Sequence, residues 1–104
     1  MMRKSVHDFA LAMDKKLDER EARNGPRGWD ECDREYLLER MLDEFIELRE
    51  AVRYWNVSSR NICDECCDVA NFAMMLFDNH DRVKTSEGTV TFHANIGLRR
   101  NDEV

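Results

Sequence analysis

The chain is expected to be all-α, an antiparallel helical bundle completed by oligomerisation, and three observations lead there. Breakers are scarce, with 4 Gly and 1 Pro in 104 residues, while Glu, Leu, Arg, Met and Ala, which enter helices at little cost, are plentiful. Three separated stretches repeat apolar residues at spacings of three and four, the period of one helix face. The length is that of a single domain, residues 1–104, with about 81–104 set apart as a C-terminal tail or arm.

The first helix is predicted over Ser5 to about Arg23, with Val6, Phe9, Ala10, Met13 and Leu17 on one face. Ser5 and Asp8 are placed to form a capping box with Asp in the usual Glu or Gln position. Asn24-Gly25-Pro26 stops the helix, and Arg27-Gly28-Trp29-Asp30 continues as a short loop. The second helix is predicted from an Asp33 N-cap to Trp55. Leu37, Leu38, Met41, Leu42, Phe45, Leu48, Val52 and Trp55 lie on one broad arc, with Trp55 in the core. The third helix is predicted from Ser59 to about His80. Its second half, Val69 to Phe77, is apolar almost all round apart from Asn71, so it needs cover on several sides. Three helices are few for that, which is the reason to expect a homo-oligomer. In the tail, Gly88 to His93 alternates as a short strand or an arm on a neighbouring subunit does.

The charge balance narrows the function. The net charge of −6 disfavours duplex nucleic acid, which is bound by neutralising phosphates, and favours holding cations. No apolar run approaches the ~20 residues that span a bilayer, so no membrane partner is expected. The start of the chain does not read as a secretory signal, because Asp8 and Asp14 interrupt it. Reduced thiols in a cytoplasmic protein are therefore expected. Cys63, Cys66 and Cys67 are read as small buried residues. Cys63-x-x-Cys66 is half a zinc site with no second pair.

Acid pairs three apart share a helix face, and several exist, so spacing selects none of them. Position around the helix does. Glu65 falls inside the apolar arc between Phe72 and Leu76, with Asp68 and Asn71 at its edge. Glu44 lies beside Leu37 and Leu48, with Glu47 the next acid outward. An ionised carboxylate in apolar surroundings protonates, pairs with a cation or binds a metal. If the two helices run antiparallel, Glu44, Glu47, Glu65 and Asp68 converge, and an all-oxygen set suits hard cations, Mg²⁺ first. The alternative is pairing with Arg49, Arg53 and Arg60.

The segment Leu42-Asp43-Glu44-Phe45-Ile46-Glu47-Leu48, followed after one helical turnaround by Glu65-Cys66-Cys67-Asp68-Val69-Ala70-Asn71-Phe72, resembles the MazG-like all-α nucleotide pyrophosphohydrolases. Their pattern is an acid pair ending in Glu-x-x-Glu, then Glu-x-x-Asp. The resemblance covers roughly Phe9 to Asp78, including the Gly28-Trp29 loop, and looks like the small archaeal and phage-borne members. It implies hydrolysis of (deoxy)nucleoside triphosphates to the monophosphate and pyrophosphate. It also implies Mg²⁺, or Mn²⁺ in its place, on Glu44, Glu47, Glu65 and Asp68, with Glu44 or Glu47 taking a proton from the attacking water. Asn71 is then placed to orient a ligand or contact the sugar. Asp43 stands where many members have Glu, and Cys66 and Cys67 replace their small Ala residues.

Trp29 either stacks on a base or seals the end of the helix pair. The basic stretch Lys15, Lys16, Arg20, Arg23 and Arg27 either contacts phosphates, Lys16 above all, or forms a solvated face among Asp14, Asp18, Glu19 and Glu21. His7, His80 and His93 show no partner in the sequence. Met74 and Met75 read as interface or core filler. A homodimer or dimer of dimers acting on a nucleoside triphosphate is the leading expectation. Its rivals are a relative acting on phosphoribosyl-ATP and a non-catalytic helical oligomerisation or adaptor domain.

Overall fold

A computed structural model of the chain describes residues 1–25 and 28–86. It is all-helical: α1 spans Lys4–Asn24, a 3₁₀ turn Trp29–Glu31, α2 Arg34–Arg53 and α3 Ile62–Ser86. No strand occurs among the described residues. None of the helices is long and apolar enough to cross a membrane.

The helices form where the apolar period places them, but their ends differ from expectation. The Ser5–Asp8 capping box does not form. Extended Arg3 holds the N-cap position, its carbonyl accepts the His7 N–H at 3.0 Å, and Asp8 instead accepts the Lys4 ammonium at 2.7 Å. At the other end Gly25 takes φ 81°, a region closed to most L residues, and donates its N–H to Glu21 at 2.8 Å. The Arg27–Asp30 loop contains the 3₁₀ turn at Trp29–Glu31. Asp33 does occupy the N-cap of α2, although its side chain makes no capping bond. Helix α3 begins at Ile62 rather than Ser59 because Asn61 is its cap. The Asn61 Oδ1 accepts the Asp64 N–H and its carbonyl accepts the Glu65 N–H, both at 3.0 Å. Helix α3 then runs past His80 to Ser86, so the first residues assigned to the tail are helical. The strand or arm expected at Gly88 to His93 lies outside the described residues.

Helices α2 and α3 are antiparallel. Arg34 at the start of α2 meets His80 late in α3 (Nη1 to Nδ1, 3.1 Å), so His80 does have a partner. At the opposite end Arg60 spans Glu47 of α2 and Glu65 of α3. The core between them is small: Leu37, Phe72 and Met75, with Leu17, Trp29, Cys32, Met41, Met74 and Leu76 packed around it. Helix α1 buries no residue completely and reaches the core through Leu17.

A pair of helices cannot cover the whole arc of α2. Leu37 and Ala51 are buried, while Leu38, Leu42, Phe45, Ile46 and Val52 face outward. Trp55 is 72% exposed, not in the core, because α2 ends at Arg53 and leaves it on the connection. Phe77 of the apolar α3 segment is exposed as well. Cys67 is buried and Cys66 half-buried, but Cys63 is exposed, so the small-core reading fails at that position.

Candidate metal centre

The antiparallel pairing sets Glu44 and Glu47, one turn apart on α2, against Glu65 in the first turns of α3. One carboxylate oxygen from each lies within 4.8 Å of the others. Glu44 is 7% and Glu65 8% exposed; Glu47 is half-buried. The fourth expected ligand is not part of this trio. Asp68 is taken by Lys16 of α1 at 2.8 Å, and Lys16 also donates to the Asp64 carbonyl at 3.4 Å. Lys16 is not a solvated residue: it is half-buried and paired with an acid.

Every acid of the set has a cationic neighbour. Arg40 forks onto Asp43 and Glu44, each at 3.1 Å, which leaves Asp43 on the exposed rim. Arg60 contacts Glu47 at 3.0 Å, Glu50 at 3.7 Å and Glu65 at 3.8 Å. No ion pair of Arg49 or Arg53 occurs among the described residues, so of the three arginines named in advance only Arg60 serves. The signal for Arg40 was legible, since it stands three and four residues before Asp43 and Glu44.

These cations do not fully compensate the buried charge. Burial, then Glu47 and then Asp68 push the Glu44 carboxyl above its ordinary range against the pull of Arg40. Burial, then Asp68 and Glu47, do the same to Glu65 against Arg60. For Lys16, burial alone would lower the ammonium; its hydrogen bond to Asp68 and the charges of Asp68, Asp64 and Glu65 together raise it. Glu65 Oε1 is buried without a hydrogen-bond partner, and so is Asn71 Oδ1. An orphaned buried carboxylate oxygen among acids is what a hard cation corrects. Neighbouring oxygens of an octahedral shell with 2.0–2.1 Å bonds lie ~2.9 Å apart, so a trio within 4.8 Å must draw inward to share one ion. An all-oxygen set of this kind suits a hard cation such as Mg²⁺ or Mn²⁺.

Two clefts lie between the helices, reaching the acid set through Arg40 in one and Asp68 in the other. The larger, about 420 Å³, opens between α1, the 3₁₀ turn and α2, and is lined by Trp29, Tyr36, Leu37, Phe72, Arg20 and Arg40 among others. The Arg40 and Arg20 guanidiniums lie 5.1 and 5.8 Å from the Phe72 ring centre. The smaller, about 150 Å³, is lined by Lys16, Arg20, Arg23, Asp68 and Asn71. The basic stretch is thus not simply a solvated face; Arg27 lies outside the described residues. Asn71 donates to the Met13 carbonyl at 3.2 Å, which fixes its amide and leaves Oδ1 as the unpaired end. Trp29 stands at the end of the helix pair, where the sequence expects it either to seal the pair or to stack on a base. Its Nε1–H is anchored on Asp78 at 2.9 Å, sealing the end of the helix pair, and its ring walls the larger cleft. Sequence reasoning missed Asn79, whose amide holds the 3₁₀ turn.

No family model matches the chain, and no solved structure matches it. An uncharacterized protein of Archaeoglobus fulgidus is 46% identical over 54 residues, which is 52% of this chain and 56% of that one. The match spans just over half of that relative's length.

Proposed function

We propose that the protein is a divalent-cation-dependent nucleoside triphosphate pyrophosphohydrolase of the MazG-like type, cytoplasmic and working as a homodimer or dimer of dimers. The observation that carries this is the meeting of Glu44, Glu47 and Glu65 from antiparallel helices around a buried Glu65 oxygen that no protein group satisfies. The four-acid resemblance to that family supports the same reading.

In this reading Glu44, Glu47 and Glu65 would hold the metal, with Asp68 available as a further oxygen donor if Lys16 were drawn to a phosphate. The bound ion supplies neutralisation of the triphosphate and a more acidic attacking water. Glu47, the most accessible of the trio, is placed to accept the proton. Lys16, Arg20 and Arg23 line a cleft with Asp68 whose positive charge suits phosphate oxygens. Trp29 and Phe72 give the larger cleft flat apolar walls for a base.

The test is a panel of canonical NTPs and dNTPs with Mg²⁺ and direct detection of pyrophosphate, run against a Glu65→Gln control. Release with at least one nucleotide, absent from the control, is expected. No release above the control favours an adaptor domain in which Arg40, Arg60 and Lys16 are simply the partners of the acids. Turnover of phosphoribosyl-ATP alone moves the protein to that related class.

The homo-oligomer rests on the outward apolar residues of α2 and on Phe77. Sedimentation velocity is expected to report a dimer or larger at micromolar concentration; a monodisperse monomer contradicts it.

A further inference from the structure

We propose that Arg60 is a resident counterion of the acid trio, one that a divalent cation must displace, so that metal occupancy and the Arg60 contacts exclude each other. This inference rests on the metal-centre reading above and adds a residue that controls how readily the centre fills.

Arg60 lies on the connection between α2 and α3, one residue before the Asn61 cap, so its backbone is outside both helices. Its guanidinium enters the acid cluster from solvent and remains more than a third exposed. It touches acids of both helices, yet only Glu47 is within hydrogen-bond distance, at 3.0 Å; Glu50 at 3.7 Å and Glu65 at 3.8 Å are not. Glu65 Oε1, buried beside it, stays unpartnered. A planar fork cannot satisfy carboxylates converging from several directions, whereas a small spherical ion can. The other cations are held more firmly. Arg40 lies 5.1 Å from the Phe72 ring centre while it forks onto Asp43 and Glu44, and Lys16 is half-buried on Asp68. Arg60 is the cation with a loop to swing on and the least to lose, since half-exposed ion pairs are individually weak. Its positive charge also repels an arriving cation for as long as it stays.

The experiment measures Mn²⁺ binding, by the electron paramagnetic resonance of free ion, to wild-type protein, Arg60→Gln and Arg60→Lys. Arg60→Gln is expected to bind about two- to fivefold more tightly than wild type, as loss of weak competing ion pairs requires. Arg60→Lys, with one compact charge, is expected to fall between. Equal or weaker binding by Arg60→Gln, with wild type binding normally, overturns the counterion role and leaves the metal centre standing; Arg60 is then only a clamp between helices. Absence of binding in all three proteins removes the metal centre and this inference with it. Should Arg60→Gln fail to fold, wild-type protein decides. On titration with Mg²⁺ the Arg60 Nε–H resonance is expected to shift with the same midpoint as binding, and an unmoved resonance overturns the proposal.

Discussion

Glu65→Gln is expected to raise the stability of the metal-free protein while lowering turnover by about a hundredfold or more. The two effects share one cause. Glu65 is 8% exposed, its Oε1 has no partner, and Glu44 and Glu47 crowd it. A neutral amide removes the buried charge and can donate to a neighbouring carboxylate, which recovers about 1–2 kcal/mol. That corresponds to roughly 5–10 °C in a domain of this size. In the proposed metal centre the same change would delete a ligand, and a metal's charge stabilisation amounts to several kcal/mol.

The pH dependence identifies the cause. The folded-state pKa of Glu65 and of Glu44 lies above the ordinary value of about 4.5, chiefly through burial. The native state therefore takes up protons before the unfolded chain does as pH falls from neutral. Stability from these groups rises across the window above 4.5, is fully present below it, and is lost again as pH rises through the folded values. Asp78 works in the opposite sense, its carboxyl held below 3.8 by Arg82 and Trp29. Its contribution is lost only at lower pH, so the windows stay apart. In Glu65→Gln the rise on acidification is expected to shrink to the Glu44 part. Thermal melts in chelator from pH 7.5 to 5 measure this; a destabilised variant with an unchanged profile would make Glu65 a structural acid.

Asn79→Ala is expected to cost about 2–3 kcal/mol. Asn79 is 3% exposed, and its amide nitrogen donates to the carbonyls of Trp29 and Cys32, both at 2.9 Å, and of Asp30 at 3.2 Å. One amide group thus ties the whole 3₁₀ turn to α3. Without it the Asp30 and Cys32 carbonyls lose their donor, and Trp29 keeps its Asp78 bond and the Cys32 N–H on its carbonyl. Asn79→Asp, which points acceptors at acceptors, is expected to cost at least as much at neutral pH. Urea unfolding followed by Trp29 fluorescence in a Trp55→Phe background reads both. A loss of 0.5 kcal/mol or less, the size of an ordinary surface change, would mean that the turn holds itself.

Much of the helical scaffold was legible because helix formation is local. The apolar period located all three helices, and the scarcity of Gly and Pro removed alternatives. The angular position of Glu44 and Glu65 correctly marked them as the acids facing the partner helix, since 100° per residue needs no knowledge of the partner. The ends were less legible. The sequence places the start of α3 at Ser59, whereas the side chain that meets a free N–H is that of Asn61. Trp55 was misplaced because periodicity continues to count past the last helical residue.

What the chain encodes by itself is thus three amphipathic helices and a set of acids on their inner edges. Which acids meet, and which cations meet them, was decided by the tertiary structure. Glu65 joined Glu44 and Glu47, Asp68 went to Lys16 of α1, and Arg40 and Arg60 took places among the acids. The physical reason is that contacts within a helix repeat with a fixed rise and angle, whereas contacts between helices depend on their relative shift and rotation. Those are set by Leu37, Phe72 and Met75 filling one small core.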